Sequence, residues 1–454
     1  MTDDRFIFQK YNYSISEYTL TIEYNFQLVV NEVFNFNPKL VFHLPKVFFN
    51  QNYNHQLLDK LIFNLGLVEA ISYWKSKCCK NFIVKCGHLT DEQKNWWKNL
   101  FFYGLGEFRY INKIKTTIDD FVDIKSEATK EVISEEKDEQ KPDSNRIIIP
   151  IGGGKDSVVT IEELKSGHQV IPFIININDV TEACINIAGY TKDDAIIINR
   201  KIAKQLLELN AAGCLNGHTP FSAVIAFSTL IGAELTNTSL IALSNEASAN
   251  EATVKVDNCD IINHQYSKTI IFEAAFRKYY SRFISSKYNY FSYLRNISEL
   301  RISQKFSNLK QYHKTFKSCN VGSKTKPWRW CCNCPKCLFV YIILSPFLET
   351  EELISIFGTD LFDNFKLQDT LYQLTGLSKT KPFECIGTID ETRAAIAKYL
   401  SKHEATGILK EYVKKTDISE DLSNFDKITL QDNSNNFIPK DLSRLHHYIS
   451  ENQF

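Results

Sequence analysis

The chain has 454 residues, 44% hydrophobic and 23% charged, the composition of a folded globular protein rather than a disordered or collagenous one. Its 53 basic and 53 acidic residues cancel, so no global field draws polyanions, which argues against a nucleic-acid partner. The apolar run at 338–348 is too short for the ~20 residues that cross a bilayer, which argues against a membrane protein. The start MTDDRFIFQKYNY lacks the basic and continuous apolar stretches of a secretory signal, so a cytoplasmic protein is expected. Twelve cysteines in such a chain point to reduced thiols or metal ligands rather than a disulfide framework.

Residues 1–116 read as a smaller α+β N-terminal module. Alternation over 18–26 and the run 40–44 predict strands, and 55–75 predicts a helix. Trp96, Trp97, Phe101, Phe102 and Tyr103, near Gly104 and Gly106, are expected to fill a core rather than line a cleft. The polar, charged stretch 117–145, with Pro142 near its end, predicts a linker or mobile loop. From 146 to 400 the pattern becomes α/β. A strand at 147–151, a glycine turn, a helix at 157–165 and strands at 170–177 and 195–199 come first. Helices at 201–211 and 222–235 and a buried strand at 239–243 follow. This order predicts a mostly parallel sheet with helices on both faces and a ligand at the carboxyl ends of its strands. Residues 401–454 read as a C-terminal helical extension.

The sharpest local signal is RIIIPIGGGKDSVVTIEEL, in which Gly152, Gly153 and Gly154 end a strand and Asp156 and Ser157 open a helix. Glycines admit phosphate oxygens to backbone amides, and a helix start favours negative charge. Lys155 adds a cation, Asp156 can hold Mg²⁺, and Ser157 can donate to a phosphate. The spacing is neither that of Walker ATPases nor that of dinucleotide binders; a plain glycine turn capped by Asp156 is the structural alternative. The segment resembles the PP-loop of ATP pyrophosphatases, SGGxDS, with Gly152 at the usual serine. That resemblance implies a HUP-like fold and cleavage of ATP to AMP and pyrophosphate.

A second constellation is SCNVGSKTKPWRWCCNCPKC. Cys319, Cys331, Cys334 and Cys337 have the spacing of a closed tetrahedral zinc set, with Cys332 as an extra thiol. Lys324, Lys326, Arg329 and Lys336 would balance its charge. Free reduced thiols, or a redox or sulfur-transfer role, are the alternatives. The arrangement looks like that of 7-cyano-7-deazaguanine synthase, a PP-loop enzyme with a zinc-binding cysteine set.

Polar groups also follow predicted elements in LNGHTPFSA, SNEASANEATV and NHQYSKTIIFEAAF. Asn245, Glu246 and Ser248 are placed toward nucleotide or substrate. His218, His264 and Lys268 offer proton-transfer groups, and KPFECIG adds Glu384 and Cys385. Arg295 and Arg301 are carboxylate or phosphate clamps, or salt-bridge residues.

GGGKDS, NGHTPFSA, SNEASAN, NHQYSK, YFSYLRNISELRI, the cysteine block and KPFECIG stand in the order that resembles the UDP-N-acetylmuramoyl-dipeptide L-glutamate epimerase family, MurL. The likeness extends to FIFQKYNY and GLGEFRYIN. It implies ATP-dependent inversion of the terminal L-glutamate of UDP-MurNAc-L-Ala-L-Glu, a small UDP-sugar dipeptide. It also implies Mg²⁺, release of AMP and pyrophosphate, and a place in peptidoglycan precursor synthesis. Asp156, Glu246, His264 and Cys385 are the catalytic candidates, with His218 in reserve. Asn245 and residues 152–157 are the candidate nucleotide contacts. Another PP-loop reaction on a carboxylate or amide, tRNA thiolation, or a non-catalytic ATP sensor are the alternatives.

Overall fold

Ile147, Ile148 and Ile149 are all fully buried, yet they do not share a core. Ile147 and Ile149 join one apolar cluster and Ile148 the other, because successive side chains of a strand leave its two faces. The same division recurs at Ile196 and Ile197 and at Leu240 and Ile241. A sheet sandwiched between two helical layers is the consequence. The computed structural model describes residues 4–128, 141–255 and 261–443.

In chain order the strands are β1 (Arg5–Ser16), β2 (Thr19–Val29), β3 (Val33–Phe36), β4 (Lys39–His43), β5 (Asn81–Val84), β6 (Asp123–Ser126), β7 (Asp143–Pro150), β8 (Gln169–Ile175), β9 (Ile196–Lys201), β10 (Thr238–Leu243), β11 (Val254–Lys255), β12 (Ile261–Ile262) and β13 (Asn289–Ser292). All but β11 and β12, a small antiparallel pair, form one sheet ordered β13-β10-β7-β8-β9-β4-β2-β1-β5-β6, with β3 on β2. The sheet is mixed and mostly parallel. The strands β13, β10, β7, β8 and β9 run parallel, as do β1, β5 and β6, and antiparallel pairs join the two groups through β4 and β2.

Helices His55–Trp74, Asp91–Gly104, Phe221–Leu235 and Ile270–Phe283 supply the core on one face. Helices Lys155–Leu164, Asp179–Ala188, Pro335–Leu344 and Ile389–Leu400 supply the other. Trp97, Phe101 and Phe102 are core residues, whereas Tyr103 is 41% exposed at the margin. Helix Ser419–Thr429 packs on Ile389–Leu400 through Phe425 and its neighbours.

Three expectations change. The opening module is not a separate body, because β4 pairs antiparallel with β9, Phe42 opposite Ile198, and fuses both parts into one sheet. The stretch 117–145 is not wholly a linker. Helix Ile118–Phe121 and edge strand β6 occupy its start, anchored by buried Phe121, Val122 and Ile124, and β7 begins at Asp143; its centre lies outside the described residues. The helix expected at 201–211 starts at Lys204, because Arg200 and Lys201 still pair with Leu40 and Lys39. No helix among the described residues is long and apolar enough to cross a membrane.

Candidate active site

Strand β7 ends at Pro150 and the chain turns through Gly152, Gly153 and Gly154 into helix Lys155–Leu164. Gly153 has φ +82°, and a Cβ there would stand 2.8 Å from Val180 Cγ1, so only glycine fits. At Gly152 a Cβ would meet nothing within 4 Å, which puts this edge of the turn against open space. No side chain caps the helix start, leaving its first amides available to an anion. The Ser157 hydroxyl donates to the Gly154 carbonyl at 3.0 Å, an internal bond that shapes the turn.

Buried Lys155 is ion-paired with both Asp156 and Glu299. Two carboxylates share one ammonium here, so one of them retains a proton. Burial pushes Glu299 up to about 8 against the charge of Lys155. Asp156 is half-buried, and against that desolvation Lys155, Lys336 and Lys268 hold it below the usual carboxylate range. Glu299 is fixed from behind, its amide donating to Glu391 Oε1 at 2.7 Å.

Lys268 links this turn to a thiol. Burial disfavours its charge, but Cys385, Glu246 and Asp156 together hold it protonated. Cys385, only partly buried as a residue, has its pKa raised by desolvation and lowered more strongly by Lys268 and hydrogen-bonded His264, to about 7. Burial likewise lowers His264, but its bonds to Cys385 and Glu107 and their charges raise it to about 9. These shifts favour a thiolate–imidazolium pair between about pH 7 and pH 9. The Cys385 carbonyl accepts from the Lys336 ammonium, so that lysine braces the thiol loop, whereas Lys324, Lys326 and Arg329 are exposed. Asn263 donates to the Ala249 carbonyl at 2.8 Å, tying the His264 loop to the Glu246–Ser248 loop.

The other expected residues take different places. The Asn245 amide donates to Ser292 Oγ at 3.0 Å and is occupied inside the fold. Arg295 is not a ligand clamp. It is fully buried, donates to the carbonyls of Glu246 (2.6 Å) and Lys268, and pairs with Glu273 at 3.2 Å. Arg301 turns to Asp432 at 3.2 Å, toward the C-terminal segment.

The thiol sulfurs of Cys319, Cys331, Cys334 and Cys337 lie within 4.8 Å of one another. Closest approaches are 3.5 Å for Cys334–Cys337 and 3.7 Å for Cys319–Cys334 and Cys331–Cys337. Cys332 points away, its thiol donating to the Phe357 carbonyl at 3.1 Å. Four convergent sulfurs with no fifth group fit a closed tetrahedral metal set.

Two family models match the chain, the MurL N-terminal domain over residues 1–293 and the MurL C-terminal domain over 315–423. The chain belongs to the MurL family. Relatives named UDP-N-acetyl-alpha-D-muramoyl-L-alanyl-L-glutamate epimerase occur in Xanthomonas oryzae pv. oryzae, at 30% identity over 77% of each chain, and in a Micromonospora species, at 30% over 75% of this chain and 74% of the relative. A third, from Salinispora tropica, is 31% identical over 75% of this chain and 73% of its own. No solved structure matches significantly.

The two MurL domains divide the site. The first brings the glycine turn, Glu107, His218, His264 and Lys268; the second brings the cysteine cluster, Lys336 and Cys385. Glu299 lies between the matched ranges. Glu107 and Glu299 were not singled out in the sequence because each is one carboxylate within a longer segment, GLGEFRYIN and YFSYLRNISELRI, with no local chemistry to mark it.

Proposed function

We propose that this chain, an isomerase by family, inverts the terminal L-glutamate of UDP-MurNAc-L-Ala-L-Glu to D-glutamate at the expense of ATP, in the cytoplasm, for peptidoglycan precursor synthesis. The relatives' printed names supply the substrate. The arrangement that carries the mechanism is Cys385 bonded to His264, which Glu107 holds at 2.5 Å, with Lys268 facing both Cys385 and Asp156 beside an uncapped glycine turn.

The α-proton of a free glutamate carboxylate is hard to remove because the resulting anion gathers charge on charge. Transfer of AMP from ATP to the α-carboxylate, with loss of pyrophosphate, gives an acyl-adenylate whose carbonyl no longer carries the carboxylate charge, and makes that proton acidic. In this reading the amides of Gly152 to Lys155 cradle the triphosphate, and Asp156 is the residue to hold Mg²⁺, which offsets charge on the leaving group. Cys385 takes the α-proton, His264 stabilises the thiolate, and Lys268 faces the developing enolate oxygen. Return of a solvent-derived proton to the opposite face and hydrolysis of the adenylate give UDP-MurNAc-L-Ala-D-Glu and AMP, the dipeptide amide staying intact. Glu246 faces Lys268 and keeps it charged. Cys319, Cys331, Cys334 and Cys337 would hold a zinc ion that fixes the segment before helix Pro335–Leu344; a four-thiolate set supplies no open position for chemistry.

The deciding assay incubates the protein with ATP, Mg²⁺ and UDP-MurNAc-L-Ala-L-Glu in D₂O. D-Glutamate carrying α-deuterium, formed with AMP and pyrophosphate, is the expected result. AMP without inversion would move the reading to another carboxylate, and neither product would overturn it.

A further inference from the structure

Glu107 lies on the short helix Gly106–Ile111 and is buried. Its Oε2 is 2.5 Å from His264 Nδ1 and 3.4 Å from His218 Nδ1. The two imidazoles, one from the loop before helix Phe221–Leu235 and one from the turn after β12, have centroids 4.6 Å apart at 51°. A carboxylate on Nδ1 fixes both the tautomer and the rotation of an imidazole, leaving Nε2 for a second partner. His264 also hydrogen-bonds the Cys385 side chain.

Resting on the reading in which Cys385 takes the α-proton, we infer that Glu107 is the positioning residue of the proton-transfer pair, orienting His264 toward the Cys385 thiol while the His218 ring closes the far side.

The surrounding charges support this division. His264 faces Glu107, His218, Cys385 and the Glu384 carboxylate. His218 faces His264, Glu107 and, from the end of helix His55–Trp74, Lys75. Burial lowers His218, and charges on His264 and Lys75 lower it further, to about 3. Two neighbouring histidines in similar burial therefore shift in opposite directions, the one bonded to Cys385 and Glu107 upward and the other downward. Lys75 holds the His218 loop, donating to the carbonyls of Gly217 and His218 and to Thr219 Oγ1 at 2.7 Å. Cys385 faces Lys268 and Lys336 besides His264, and Lys268 faces Glu246 and Asp156. Loss of Glu107 should thus weaken the thiolate without abolishing it.

The test follows carbamidomethylation of Cys385 by iodoacetamide against pH, read by peptide mass spectrometry on the full substrate-free chain. Wild type should reach half its limiting rate near pH 7. Glu107→Gln should move that midpoint up by about one unit, roughly a tenfold loss of thiolate at neutral pH. Glu107→Asp should restore most of it. In the epimerase assay Glu107→Gln should lower kcat for α-deuterium uptake about tenfold with KM unchanged. An unmoved midpoint in a Glu107→Gln protein of normal melting temperature would overturn the inference. So would a metal ion additional to that of the four thiols and lost with this substitution, since Glu107, His218 and His264 offer three ligand atoms within 4.8 Å of one another. Should Glu107→Gln not fold, His264→Gln applies the same criterion. A shifted midpoint in a protein without epimerase activity would sink the substrate reading and leave the relay standing.

Discussion

In the proposed mechanism Cys385 and His264 would give the chemistry a pH window whose limits follow from opposite ionisations. Thiolate forms above about 7 and imidazolium is lost above about 9, so both are present only between those values. The two limits belong to the pair as a unit. Uptake of α-deuterium at saturating substrate should therefore rise through about pH 7 and fall through about pH 9, and a profile level across that range would exclude the pair as the proton-transfer device. Some of this site was legible in the sequence and some was not. GGGKDS could be read because strand, turn and helix start are consecutive. The pairing of His264 with Glu107 spans 157 positions, and that of Lys155 with Glu299 spans 144. Neither leaves a local trace, so Cys385 and His264 were named singly and their partners were not.

At the scale of elements, the loops after β10 and β12 hang from one side chain. Arg295 binds the carbonyls of Glu246 and Lys268 and neutralises Glu273, which itself accepts from the Ser292 amide at 2.9 Å. Arg295→Met would leave the Glu273 carboxylate buried without its cation, a loss of about 3–5 kcal/mol for a broken buried pair. Denaturant unfolding should register that loss, and a change under about 1 kcal/mol would contradict the assignment. In sequence Arg295 suggested a carboxylate or phosphate clamp or a salt-bridge residue, since guanidinium groups serve ligands and folds alike and only burial tells them apart. Strand cores at 147–151, 170–177 and 239–243 were readable because a central parallel strand is apolar on both faces. The union of β4 with β9 was not, because register between segments some 150 residues apart is set by tertiary packing alone.

For the whole molecule, the cysteine cluster is the clearest external handle. Purified protein should carry about one zinc per chain, and Cys337→Ser should lose it. Stripping the ion with a chelator should lower the melting temperature, since metal affinity at such a set is also folding free energy; metal-free protein with an unchanged melting temperature would leave the thiols without that role. The first MurL domain ends one residue beyond the last strand of the sheet, yet the reacting thiol belongs to the second. His264 and Cys385 therefore meet only when both are present. For inheritance this means that a gene broken near residue 300 would yield one product with the anion turn and another with the Cys385 thiol, and selection could preserve such a split only in lineages where the two polypeptides found each other again.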